Sequence, residues 1–180
     1  MTAGDKKLLD LVSFTMTYGK VADNYFNGAS NDVSILDGEG YSKSEVISRI
    51  GNKQLMINNE VCPVNSDAAK LSLALDSKMA VRLYIRGVAA GTEDDSRSLS
   101  TVAGKKGGKN YPSYFEFSGL TPLQLGDMQT VIFGDNVYNF SALAWAYRTL
   151  TNSDATENNV YMAKAVALYA YYAGIYADGQ

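Results

Sequence analysis

The chain has 180 residues, 46% of them hydrophobic and 19% charged, with a formal net charge of -3 and no histidine. That is enough apolar material for a packed core and too little charge for a disordered chain, so one module is expected over residues 1–180. The acidic balance, with no basic stripe, excludes nucleic acid and an anionic membrane surface as expected partners.

Three zones follow in chain order. The first is helical, over 5–51. Leu11, Phe14, Tyr18, Val21 and Tyr25 recur at spacings of three and four, which predicts a helix from Asp5 to Phe26. Gly4-Asp5 offers its cap, and Gly28 ends it as a glycine just past a helix does. Ser42 and Glu45 have capping-box spacing for a short second helix that Gly51 closes.

The second zone, 53–140, reads as strands. Leu71, Leu73 and Leu75 alternate with Ser72 and Ala74, and Asp76-Ser77-Lys78 breaks the run. Val81, Leu83 and Ile85 alternate with Arg82, Tyr84 and Arg86, completing a hairpin with one buried and one wet face. A strand is expected over Ser98–Val102, a turn over Ala103–Gly108, and a strand over Tyr114–Phe117. Gln129–Phe133 and Val137–Phe140 flank Gly134-Asp135-Asn136, a strong hairpin signal.

The third zone, 141–177, is helical again. Ser141 caps a helix to Leu150, and Asp154 with Glu157 has capping spacing before a long helix to about Tyr176. The long last helix is apolar nearly all round and therefore needs partners on more than one side. The expected fold is α+β: an antiparallel β-sandwich-like core of six to seven strands, with the N- and C-terminal helices packed together on one side.

The chemistry is mostly defined by what is missing. The absence of histidine removes the commonest general base, the commonest zinc ligand and the usual nucleophile triads. Cys62 is the one cysteine and reads as a half-buried apolar residue. Gly104, Gly107 and Gly108 precede no Lys-Ser/Thr and open no helix, so they make no phosphate loop. Glu93-Asp94-Asp95 matches no calcium loop and reads as solvated. Asn139-Phe140-Ser141 is formally a glycosylation sequon, discounted because it sits at a strand end beside an apolar ring. No enzyme activity, cofactor or metal is expected, and no run of about 18 apolar residues predicts a membrane span.

What the chain has in excess is tyrosine, 13 residues, with a single tryptophan, Trp145. Tyrosine suits interfaces because it brings large contact area with few rotatable bonds. In the helix over 141–150, Leu143, Ala146, Tyr147 and Leu150 share the core-facing side, and Trp145 projects opposite, near Arg148. In the last helix, Met162, Val166, Tyr169, Ala173 and Tyr176 share one stripe, and Lys164, Leu168, Tyr171 and Ile175 another. The lysine marks the second stripe as at least partly wet, so the candidate partner surface is Trp145, Arg148, Lys164, Leu168, Tyr171 and Ile175. The competing reading makes the same residues core.

Several stretches, taken in order, resemble a known module: Val12–Asn27, Leu71–Leu75 with Leu83–Ile85, Phe115–Leu120 with Gly134-Asp135, Ser141–Tyr147, and Asn159–Tyr172. The module recurs in large surface proteins of gut Firmicutes, and the resemblance covers nearly the whole chain. It implies a module cut from a longer exported protein, at the cell surface and extracellular. It implies no catalytic residues. It also implies binding of a host or bacterial protein, since some such surface proteins bind host immunoglobulins. Trp145 and Pro122-Leu123-Gln124-Leu125 depart from the pattern. Beside protein binding stand a carbohydrate-binding module, a spacer or assembly module without ligand, and a glycosidase-like enzyme on unassigned carboxylates.

Overall fold

The computed structural model describes residues 1–75, 77–95, 100–104 and 107–179. Asp76 of the expected strand break, Ser98 and Leu99 of the expected strand, and Lys105-Lys106 of the expected turn lie outside them. The fold is α+β, with four α-helices and, among the described residues, eight strands in two four-stranded antiparallel sheets. The chain divides into two compact units, Met1–Lys53 with Pro122–Gly126 and Ala146–Gln180, and Gln54–Thr121 with Asp127–Trp145.

The first unit is helical. Helix α1 runs Ala3–Asn27, α2 Lys43–Ile50 and α4 Glu157–Ala177, while α3, Ala142–Thr151, belongs to this unit from Ala146 onward. The start of α1 is a capping box, but on Thr2 rather than Gly4-Asp5. The Thr2 hydroxyl accepts from the Asp5 amide at 3.1 Å and the Asp5 carboxylate from the Thr2 amide at 2.7 Å. Gly28 ends the helix at φ 71°, where a side chain would be strained. Ser42 and Glu45 form the expected capping box on α2, closed by Gly51. The cap of α4 is Thr156, not Asp154: its hydroxyl accepts from the Asn159 amide at 3.3 Å.

Helix α4 is surrounded. It packs on α1, on α2 and on two short 3-10 turns, Ser34–Asp37 and Pro122–Gln124. The N- and C-terminal helices therefore do pack together, through aromatic rings. Phe14 lies flat on Tyr172 (4.4 Å, 11°) and Tyr18 on Tyr169 (4.8 Å, 30°). On the α2 side the Arg49 guanidinium lies over the rings of Tyr41 at 5.3 Å and Tyr171 at 5.7 Å.

The second unit holds both sheets. One has the order β2-β1-β8-β7, from β1 Met56–Ile57, β2 Glu60–Val61, β7 Gln129–Phe133 and β8 Asn136–Phe140. The other has the order β3-β4-β6-β5, from β3 Ala69–Leu75, β4 Met79–Ile85, β5 Val102–Ala103 and β6 Ser113–Leu120. Both expected hairpins form, β7–β8 around Gly134-Asp135 and β3–β4 in the register Leu73↔Val81. A third, β1–β2, turns on Asn58 and Asn59, both at positive φ. The Asn58 side chain ties that turn to β8, accepting from the Val137 amide at 2.8 Å and donating to Asn136 at 2.7 Å.

Two expectations hold only in part. On the second face of the β3–β4 hairpin Lys70 stays exposed, but the β4 side is largely covered. Because β6 pairs with β4 in the register Arg82↔Glu116, those side chains share that face and pair at 2.6 Å, with Arg82 also over the Tyr114 ring at 4.2 Å. Ala80 and Tyr84 on the same face are buried. A Cβ on Gly107 would press on the Tyr84 ring at 2.9 Å, so the approach of that loop needs glycine. Glu93-Asp94-Asp95 is solvated only in part, with Glu93 and Asp95 exposed. Asp94 is buried, the Asp95 amide donates to the Ile132 carbonyl at 2.8 Å, and the Asp95 carboxylate accepts from the Gly134 amide at 3.0 Å. Cys62 is buried, and Asn139 is half-buried and accepts from Thr130 at 2.7 Å.

The tyrosine packing of the first unit has a pH signature. Burial raises Tyr18 to about 12, and burial with a hydrogen bond to Tyr41 raises Tyr172 to about 12. The hydrogen bond to Asp37 raises Tyr161 to about 12. Unfolded tyrosine ionises near 10. The stability these groups contribute is therefore fully present below about pH 10 and lost between 10 and about 12. Lys164, lowered by burial, acts in the opposite sense and only below its ordinary 10.5. Tyrosinate absorbance should show a first population titrating near pH 10 and a second appearing only near pH 12, together with loss of the far-UV CD signal. A single titration near pH 10 with the fold intact would contradict the packing.

Candidate functional site

Helix α1 is apolar on two sides. One carries Leu11, Phe14, Tyr18, Val21 and Tyr25 toward α4. Leu9, Val12 and Met16, at spacings of three and four, fall on the far side of the helix. They remain exposed, at 56%, 47% and 64%, with Leu8 beside them. Scattered exposed apolar residues need no explanation, but a row of them along one helix face does.

The chain after α1 completes the site by folding back along the helix. Asn31 makes this return. Its amide donates to the Asn24 side chain at 2.7 Å, its carbonyl accepts from that side chain at 2.9 Å, and its own Nδ2 donates to the Asp23 carboxylate at 2.9 Å. The hydrogen bond from Asn27, with that from Asn31, holds the Asp23 carboxyl below the usual carboxylate range. Asp32 then accepts from the Ser34 amide at 3.0 Å and starts the 3-10 turn, which also lowers its pKa. The turn buries Leu36 and leaves the neighbouring Ile35 exposed. Ser13, Met16, Thr17, Lys20, Asp32, Ser34 and Ile35 line a shallow cleft of about 250 Å³ beside the stripe.

Helix α4 pins that turn from the other side. The Lys164 ammonium donates to the Leu36 carbonyl at 2.8 Å, and the Tyr161 hydroxyl donates to the Asp37 carboxylate at 2.7 Å. Burial lowers the Lys164 pKa, and the nearby Asp37 charge acts against that shift. Lys164 thus positions the turn that carries Ile35.

No family model, curated protein or solved structure matches the chain. Among the described residues there is no group of three or more acids and cysteines arranged to hold a metal ion, and no helix long and apolar enough to cross a membrane.

The surface expected on α3 and α4 does not form. Leu168 is 0% exposed, Trp145 6% and Lys164 7%. Arg148, Tyr171 and Ile175 are half-buried. Tyr171 meets the Arg49 guanidinium and the edge of Tyr172. The physical reason is that α4 packs on α1, on α2 and on both 3-10 turns, so its second stripe is covered to the same degree as its first. Lysine signals a wet face only while its head group lacks a buried acceptor, and here the Leu36 carbonyl supplies one. Leu9, Val12, Met16 and Ile35 were not singled out from sequence. The signal that could have found them is their helical spacing opposite Phe14.

The second unit offers a polar cleft of about 350 Å³, lined among others by Ser77, Lys78, Glu116 and Ser118. None of the described residues that line it carries an aromatic ring for a sugar to stack on.

Equilibrium urea unfolding separates the two groups of residues. Leu168→Ala and Trp145→Ala should each cost about 3 kcal/mol or more, as buried large side chains do. Lys164→Ala should cost about 1–3 kcal/mol by orphaning the Leu36 carbonyl. Met16→Ala should stay within about 0.5 kcal/mol. Losses under about 0.5 kcal/mol for Trp145 and Leu168 would return them to the surface.

Proposed function

We propose that this chain is a non-catalytic protein-binding module, and that its docking surface is the Leu9-Val12-Met16 stripe of α1 with Ile35 beside it. The observation that carries the reading is the exposure of that stripe on a helix whose opposite face stacks on α4. A rigid helix presenting apolar residues at spacings of three and four is what helix-face recognition uses. Burial of such a stripe by a partner gains the transfer free energy of each apolar group without any rearrangement of the module. The lack of histidine in the whole sequence supports a non-catalytic role.

The resemblance to modules of gut Firmicute surface proteins supports an extracellular, cell-surface setting, with a host protein such as an immunoglobulin as the partner. In that setting we read the two sheets as a sandwich-like platform. The edge-on contact between Phe117 of β6 and Phe140 of β8, at 5.4 Å, supports that arrangement.

The test is capture of purified immunoglobulin, and of serum protein at large, by the immobilised chain. Val12→Lys with Met16→Lys should leave the melting temperature unchanged and lower capture at least tenfold, since charges replace apolar contacts at the centre of the surface. Capture that survives both substitutions would place the docking surface elsewhere. Failure to retain any serum protein would overturn the host-binding reading.

A further inference from the structure

The geometry points to a second occupant of the same stripe: α1 of a second copy of this chain, antiparallel across a two-fold axis between Val12 and Ser13. This rests on the stripe being the docking surface proposed above, and adds self-pairing in competition with a foreign partner.

The charge pattern of one seam selects this pairing. Asp5, Leu9, Val12, Met16 and Lys20 follow one another at spacings of four, three, four and four, and all are exposed. They lie along one side of the helix, over about 22 Å at 1.5 Å per residue. The seam is acidic at its N-terminal end, apolar in its middle and basic at its C-terminal end. An antiparallel two-fold sets Leu9 opposite Met16 of the second copy, Val12 near its own counterpart, and Asp5 opposite Lys20 at both ends. A parallel pairing would set Asp5 against Asp5 and Lys20 against Lys20. The sequence therefore selects one orientation, as an isologous interface requires. Asp5 is ionised for this role, its carboxyl held below the usual range by the Thr2 cap.

The second copy also finds a seat. Leu9 of that copy comes over the cleft that Met16 and Ile35 line. Lys20 lies near enough to Asp32 to lower that acid's pKa, so its charge is shared between Asp32 and the incoming Asp5. A seam of five side chains is small beside a standard interface, so the pair forms reversibly and at high protein concentration. Pairing covers Val12 and Met16, which is why it competes with capture of another protein.

Sedimentation velocity over a wide concentration range tests this on the full chain. The expected result is a reversible monomer–dimer equilibrium. Lys20→Glu alone and Asp5→Lys alone should each weaken it by about tenfold, because each turns two opposite-charge contacts into two like-charge ones. The two together should restore it. Circular dichroism of each variant controls for fraying, since Asp5 also caps the helix. Orientation is read by cross-linking, with the native Cys62 buried. Leu9→Cys mixed with Met16→Cys should form a disulfide-linked dimer faster than either variant alone. A chain that stays monomeric throughout, a dimer indifferent to the charge reversals, or fastest cross-linking of Leu9→Cys with itself would each overturn the proposal. A strict monomer whose capture of serum protein still depends on Val12 and Met16 would end self-pairing and leave the docking surface standing.

Discussion

The flat stacking of Phe14 on Tyr172 and of Tyr18 on Tyr169 decides which side of α1 turns inward, and the helical unit is organised around that choice. A helix with apolar residues on two opposite sides has two ways to sit on a neighbour. Large rings bury more area than Leu9, Val12 and Met16, and they add a stacking preference that aliphatic side chains lack. Once the rings face α4, the aliphatic stripe has nowhere to go but water. Its exposure is the consequence of a competition that the aromatic face wins.

The same packing explains why α4 shows no wet face. Its stripe of Lys164, Leu168, Tyr171 and Ile175 lies where the 3-10 turn and α2 close over it. Lys164 can be buried there because its ammonium has a carbonyl to bond and the Asp37 charge beside it. The bond holds the turn at Leu36, and the turn shows Ile35 to solvent next to Met16. A residue expected at the interface thus supports a different surface on another helix.

Much of the fold was legible because local chemistry reports local structure. Ser42 with Glu45, Gly28 and Gly134-Asp135 end or turn the chain where they were expected to, since each makes its bonds within a few residues. Asn58-Asn59 turns a hairpin by the same rule, and its strands of two residues each are too short to show alternation. The N-cap of α1 is Thr2 because Asp5 serves as its N3 partner in the capping box, and at α4 Thr156 caps in place of Asp154 two residues earlier. What local pattern does not hold is which of two apolar faces is covered. Reading α1 for a single stripe found Phe14 and Tyr18 and passed over Leu9 and Met16. Reading α4 by its lysine put the wet side where a distant carbonyl, 128 residues earlier in the chain, had already claimed the charge. The Arg82–Glu116 pair hid the expected wet face of β4 in the same way, through a strand 34 residues away.

Two methionines of the helical unit differ sharply in exposure. Met16 sits on the exposed face of α1, whereas Met162 is fully buried in α4. Methyl-labelled methionine NMR on dilute protein, with a soluble paramagnetic probe, measures that difference directly. The Met16 methyl should broaden strongly at low probe concentration while the Met162 methyl stays sharp. Equal protection of the two would mean that the stripe on α1 is covered, and the docking surface proposed for this chain would not exist.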